Sequence, residues 1–261
     1  MQDALAGSVI ITGAASGIGQ GVAIAFAQAG CRKLLLGDIN ENGLQATRDL
    51  VLQETPEADV VLSYLDVSEE SSVNRFVEKC VARFGRLDYA CNVAGICPAR
   101  TPVVDLDVDT YDKVIAVNLY GTFLCHRAEM KQMLKQPLSG NGCRGSIVST
   151  SSMAGLNASP GASPYCSTKF GIIGLVKTDS MDYGARGIRI NAVCPGFTDT
   201  PALHAISTAE QRVALSKNIS LNRLGQAVDV GRTFAFLCSK EASYIHGTNY
   251  LVDGGAMAYR R

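Results

Sequence analysis

Short β-branched, apolar runs alternate with helix-length segments along almost the whole chain. Residues 8–12 (SVIIT) form one such run, ending in a glycine-rich turn, and the stretch from Gly21 to Gly30 is apolar and alanine-rich at helical length. The same rhythm predicts a strand over 33–37, a helix over 41–53, a strand over 60–65, a helix over 69–84 and a strand over 87–92. A long helical stretch from about 110 to 135 follows, then a strand over 146–150, a helix over 165–183, a strand over 189–194, a helix over 227–239 and a strand over 249–252. Strands that are nearly continuous in apolar residues are those buried on both faces, and right-handed crossovers lay their helices over each face in turn. The pattern therefore predicts an α/β fold: one doubly wound domain over residues 1–261, its seven-stranded parallel sheet covered by helices on both sides. Glycine and proline clusters at 140–145, 157–164 and 195–201 fall between a strand and a helix, so they read as site loops and not as linkers.

Composition narrows the function. With 261 residues, 47% hydrophobic and 18% charged, the chain can bury a full core. Its 24 Lys+Arg balance 24 Asp+Glu, so it carries no electrostatic footprint for nucleic acid or an anionic membrane. No apolar stretch reaches the roughly 18–20 residues of a bilayer span, and residues 1–7 lack the pattern of a secretory signal, so a soluble, cytoplasmic protein is expected. Nine cysteines without a Cys-x-x-Cys pair predict reduced thiols instead of disulfides or a zinc cluster, and the three dispersed histidines predict no metal site.

The first turn carries the first candidate chemistry. Thr12-Gly13-Ala14-Ala15-Ser16-Gly17-Ile18-Gly19 joins a strand to a helix, and glycines there let backbone N–H groups approach a pyrophosphate at the positive helix end. Its Gly-x-x-x-Gly-x-Gly spacing departs from the commoner Gly-x-Gly-x-x-Gly fingerprint, and a turn that only allows close helix–strand packing has the same composition. Asp38, 19 residues after Gly19 at the end of the second strand, is placed to accept hydrogen bonds from an adenosine ribose and to repel a 2′-phosphate. The other reading of Asp38 is a turn-initiating carboxylate before Asn40. Neutral Ser16, with no Arg or Lys in the loop, agrees with NAD over NADP in a Rossmann-type domain.

The second candidate is an acid/base pair. Tyr165 and Lys169 differ by four positions on a helix beginning near Pro164, so they project from one face a turn apart. Bringing a tyrosine from about pH 10 into the neutral range takes about 4 kcal/mol, which a neighbouring ammonium and an oxidised nicotinamide together can supply.

In order and spacing, Thr12–Gly19, Asp66-Val67, Asn92-Val93-Ala94-Gly95, Asn118, Ser152, Tyr165-x-x-x-Lys169 and Pro195-Gly196-x-x-x-Thr200 resemble the short-chain dehydrogenase/reductase family, in its compact single-domain form, over the whole chain. The resemblance implies hydride exchange between a nicotinamide and an alcohol or ketone. Tyr165 would be the general acid/base, with Lys169 also on the nicotinamide ribose. Ser152 would steady the substrate oxygen, with Ser151 its rival if the loop is irregular, and Asn118 would hold a water linking the lysine to solvent. It further implies cofactor contacts at Gly13, Ser16, Gly17, Ile18 and Gly19, at Asp66 and Val67 toward adenine, and at Asn92, Ala94 and Gly95 along the adenosine ribose and phosphates. Thr200 would face the carboxamide or pyrophosphate, in a turn made by Pro195, Gly196, Phe197 and Thr198. Family members usually form dimers or tetramers through the two long helices and the C-terminal region, which residues 250–261 resemble, so a homo-oligomer is expected.

Candidate substrate walls are Ile96, Cys97, Met153, Leu156, Phe197, Leu203 and His204, and the segment 200–223, apolar with few charges, reads as a lid or as a packed helix pair. No Arg or Lys cluster faces this region, so the expected substrate is an uncharged, fairly apolar secondary alcohol or ketone, cyclic, steroid-like or natural-product in skeleton. An NADPH-dependent ketoreductase and a non-catalytic cofactor-binding scaffold are the alternative readings.

Overall fold

The computed structural model describes residues 5–139 and 142–258. Residues 140–141 of the first glycine cluster and 259–261 of the expected C-terminal contact lie outside the described residues, as do 1–4. The chain runs β1 (Ser8–Thr12), α1 (Gly17–Gln28), β2 (Lys33–Asp38), α2 (Glu41–Glu54), β3 (Asp59–Tyr64), α3 (Glu70–Phe84) and β4 (Tyr89–Asn92). There follow α4 (Val108–Val114), a π-helical turn (Ile115–Tyr120), α5 (Gly121–Lys135), β5 (Gly145–Thr150), α6 (Ser163–Tyr183) and β6 (Ile188–Pro195). The last part holds β7 (Thr198–Asp199), α7 (Pro201–Ala205), α8 (Ala209–Lys217), β8 (Gly225–Gln226), α9 (Ala227–Cys238) and β9 (Asn249–Val252).

Seven strands pair in parallel in the order β3-β2-β1-β4-β5-β6-β9, as the apolar runs predict. Successive residues of each strand feed opposite faces: Val9, Ile11, Leu34, Leu36 and Val193 join one buried cluster with Phe26 and Phe234. Ile10, Leu35, Ala90, Ile147 and Ile190 join the other, with Phe76, Leu124 and Ile172. Both faces are thus sealed by helices, which is why the strands lack polar alternation.

The winding reverses beside β1. The chain steps outward from β1 to β3, then returns to β4 on the other side of β1, with Thr12 opposite Asn92. Loops leaving β1 and β4 therefore diverge, and a crevice opens at the carboxyl ends of the strands. Local chemistry fixes the helices around it: Asn40 Oδ1 caps α2 by accepting from Gly43 N at 3.1 Å, and Asp107 Oδ2 caps α4 by accepting from Thr110 N at 3.0 Å. Pro164 sits in the first turn of α6, where its missing N–H costs no helical bond.

Two features depart from the sequence expectation. The stretch from 110 to 135 is not one α-helix, because the π turn interrupts it around Asn118. The strands β7 and β8 form a separate two-stranded ribbon, and α7 and α8 are an excursion between them. Among the described residues no helix is long and apolar enough to cross a membrane.

Candidate active site

The turn after β1 has glycines where only glycine fits. Gly13 (φ +68°) and Gly17 (φ +54°) lie in the left-handed region, and a Cβ on Gly19 would fall 2.0 Å from the Gly13 carbonyl oxygen. Thr12, last in β1, ties the turn to its neighbour, its Oγ1 accepting from Val93 N (3.0 Å) and Ala94 N (3.1 Å). Helix α1 starts at Gly17 with no acidic residue in its first turn and no side-chain cap from Ser16, so its leading N–H groups are left for an external anion. A pyrophosphate fits this cradle.

From it extends a cleft of about 660 Å³ lined by Gly13, Ser16, Gly17, Ile18, Gly19, Asp38, Asp66, Val67, Ala94, Gly95, Tyr165, Lys169 and Thr200. Asp38 is half-buried at the end of β2; Oδ2 accepts from Ala15 N (3.1 Å) and Oδ1 from Asn40 N (3.0 Å). Each oxygen keeps acceptor capacity for a ribose hydroxyl. The cations lining the cleft are Lys113 and Lys169, whereas its β2 end presents Asp38 and Ile39. Asp66 turns its Oδ1 to the N–H (2.9 Å) and hydroxyl (2.6 Å) of Ser68. Asn92 does not line the cleft: its amide turns inward, donating to Glu129 Oε2 (3.0 Å) and Ser149 Oγ (3.5 Å).

At the inner end of the cleft, α6 presents Tyr165 and Lys169 one turn apart, with Lys169 Nζ 5.5 Å from the centre of the Tyr165 ring. Lys169 is buried and donates to the Thr150 carbonyl at 2.8 Å; burial lowers its pKa to about 8, the Cys97 and Cys194 thiols acting in the opposite sense. Burial also pushes the Tyr165 phenol above its ordinary value and Cys97 adds to this, while a hydrogen bond with Ser152 draws it back. The protein alone thus favours the neutral phenol, since a desolvated anion is costly without a full positive charge in contact.

The two adjacent serines are distinguished by their partners. Ser151 Oγ donates to the Lys169 carbonyl at 2.8 Å and belongs to the packing of α6, whereas Ser152 meets the phenol. Asn118, wholly buried in the π turn, accepts from Ile96 N (2.8 Å) and donates to Ile96 O (2.9 Å) and Thr168 Oγ1 (3.4 Å). Its amide clamps the loop after β4 onto α6.

A second hollow of about 190 Å³ adjoins the cleft and shares Tyr165 with it. Pro195, Gly196, Phe197 and Thr198 line this hollow and not the cleft, together with Met153, Leu203 and Ile206, whereas Cys97 lines both. Of the other expected walls, Ile96 lines the cleft, Leu156 lines neither, and His204 turns outward to pair with Asp199 at 2.6 Å. Thr12's bridging role was missed in the sequence, although a hydroxyl closing a strand before a glycine turn is a usable signal; Arg100, which lines the hollow, carried none.

Comparison with known proteins bears on this geometry. The family described as enoyl-(acyl carrier protein) reductase matches residues 13–257. The chain is 36% identical to levodione reductase of Leifsonia aquatica over 257 residues, covering 96% of this chain and 94% of that protein. It is 37% identical to the 3-oxoacyl-[acyl-carrier-protein] reductase FabG of Thermotoga maritima over 247 residues, covering 94% and 96%. The crystal structure of levodione reductase superposes with a TM-score of 0.91 at 33% identity, covering 97% of this chain and 99% of that one. Cradle, catalytic helix and near full-length similarity lead to one assignment: the chain belongs to the short-chain dehydrogenase/reductase family, whose oxidoreductases use a nicotinamide cofactor.

Proposed function

We propose that the chain is an NAD(H)-dependent oxidoreductase that interconverts a secondary alcohol and a ketone, with Tyr165 as general acid and base. The observation that carries this reading is the cluster of Tyr165, Ser152 and Lys169 where the long cleft and the small apolar hollow meet. The substrate is fairly apolar and uncharged around its reacting carbon, in keeping with Met153, Phe197, Leu203 and Ile206 on the hollow's walls. The relatives' names, a reductase of levodione and one of 3-oxoacyl groups on a carrier protein, support carbonyl chemistry with differing substrates.

When bound, the nicotinamide supplies the hydride acceptor or donor, and in its oxidised form a positive charge beside the phenol. Tyr165 Oη takes the hydroxyl proton of an alcohol in one direction and returns it to a carbonyl oxygen in the other. Ser152 Oγ holds that oxygen next to the phenol. Lys169, fixed by the Thr150 carbonyl and kept out of water, stabilises the phenolate through charge and presents the remaining N–H groups toward the cleft. Gly13, Ser16, Gly17, Ile18 and Gly19 cradle the pyrophosphate, Asp38 holds the adenosine ribose and excludes a 2′-phosphate, and Thr200 reaches the same groove.

The segment 200–223 acts as a lid on this reading: Leu203 and Ile206 face the hollow, while Val213 and Leu221 remain exposed. Exposed Tyr120 and Phe123, stacked at 6.0 Å on one side of the π turn and α5, and exposed Phe170 on α6 support a homo-oligomer, a dimer or tetramer.

Initial rates with NAD, NADH, NADP and NADPH against a panel of secondary alcohols and ketones test the reading. Turnover with the unphosphorylated pair is expected; faster turnover with the phosphorylated pair overturns the cofactor assignment, and no turnover with any of the four overturns the activity.

A further inference from the structure

The small hollow beside Tyr165 contains one charged side chain. Arg100, itself an exposed residue, lines it; among the described residues no carboxylate does, and the surrounding walls are apolar apart from serine and threonine residues and Tyr165. Arg100 belongs to the loop after β4, and that loop is fixed on both sides of it. Upstream, the Asn118 amide grips both backbone polar groups of Ile96. Downstream, Thr101 N donates to the carbonyl of Gly161 at 2.8 Å. Gly161 stands at φ +69° in the loop before α6, and a Cβ there would approach Arg100 Cβ and Thr101 N to 3.2 Å, so the two loops meet backbone to backbone. The Arg100 main chain is therefore held at the mouth, on the loop that also carries Cys97.

The guanidinium itself is uncommitted. Among the described residues Arg32, Arg83, Arg86, Arg127 and Arg223 face a carboxylate, and Arg144, Arg189 and Arg212 donate to main-chain carbonyls. Arg100 has neither kind of partner. Cys97, three residues before it, lines both the cleft and the hollow; burial raises its thiol above the ordinary range, and Lys169 and then Arg100 act against that.

We infer that Arg100 is a specificity-determining residue that selects, among apolar alcohols and ketones, those bearing one carboxylate at the end away from the reacting carbon. The inference rests on the proposed function and amends the expectation of a wholly uncharged substrate. A planar guanidinium matches a carboxylate through two parallel hydrogen bonds, and a single cation beside apolar walls suits one negative charge better than the two of a phosphate. The carboxylate lies far from the breaking bond, so its pairing strengthens ground state and transition state alike and is read in KM more than in kcat.

The test uses the full chain with NAD(H) and a panel of cyclic and linear oxo acids, each compared with its methyl ester. For the wild type, kcat/KM for the acid is expected to exceed that for its ester by about 10- to 100-fold, a preference that shrinks with added salt. In Arg100→Gln the acid-to-ester ratio falls to within about threefold of unity through KM, and Arg100→Lys, which keeps the charge without the fork, lies between. Wild-type ratios at or below unity, or a ratio unchanged in Arg100→Gln, overturn the inference while the activity stands. No turnover of either member with any nicotinamide cofactor overturns the activity and the inference together.

Discussion

Replacing Glu129 with Gln should stabilise this protein at neutral and alkaline pH and lose that effect in acid. Glu129, on α5, is wholly buried. Its Oε2 accepts from Asn92 Nδ2 at 3.0 Å, and its Oε1 has no hydrogen-bond partner among the described residues. Burial raises the carboxyl from an ordinary 4.5 to about 7, while His126 and the Asn92 hydrogen bond act in the opposite sense. Between those two values the unfolded chain releases the proton and the folded chain retains it, so the stability this group contributes is complete below about 4.5 and fades as pH rises through 7. At about 1.4 kcal/mol per pH unit, the loss reaches about 3 kcal/mol on the alkaline side. Glutamine cannot ionise and preserves an acceptor for Asn92. In thermal unfolding followed by circular dichroism, Glu129→Gln should melt above the wild type by about 6–12 °C at pH 8, the two converging toward pH 5. A difference that does not change with pH, or a variant that loses ground as pH rises, refutes the assignment of a proton to this site.

The remaining expectations concern the cleft. Tyr165→Phe should lower kcat by about 10²- to 10⁴-fold while nicotinamide binding, followed by cofactor fluorescence, persists; retained turnover would show that the proton moves elsewhere. Asp38→Asn removes the charge facing a 2′-phosphate and should reduce the NAD-to-NADP ratio of kcat/KM by about tenfold or more, an unchanged ratio counting against its role. Ser152→Ala should depress kcat with little change in melting temperature. Ser151→Ala, which removes the hydroxyl that supplements the helical bond on the Lys169 carbonyl, should show the reverse order of effects, and identical profiles for the two would contradict the division of labour drawn from their hydrogen bonds.

The sheet was legible in the sequence because its central strands are buried on both faces and therefore apolar in unbroken runs, as in residues 9–11 and 34–36. Helix limits differ by a few residues from the expected ones, since caps such as Asp107 set boundaries that hydrophobicity does not mark. Tyr165 and Lys169 could be paired from spacing alone, being a helical turn apart. Asn92 could not be oriented: the same motif residue serves a cleft or an interior, and only the buried carboxylate of Glu129 across α5 turns it inward. Arg100 was out of reach for a related reason. Its loop has no periodicity, and its position depends on a main-chain bond to Gly161, some sixty residues away in sequence.

The π turn between α4 and α5 also lacks a local signal, as residues 115–120 read as ordinary helix. A wide turn holds one residue more than an α-helical turn for the same full rotation, so rewinding it as α-helix with every residue kept would rotate everything upstream by about 100° relative to α5. Lys113, Ala116 and Val117 would be swept off the nucleotide groove, and Asn118 off the Ile96 main chain, with no side chain altered. At this place in the fold, the winding of six residues is itself a determinant of the active site, and a sequence could keep every motif yet fail if this turn wound tightly.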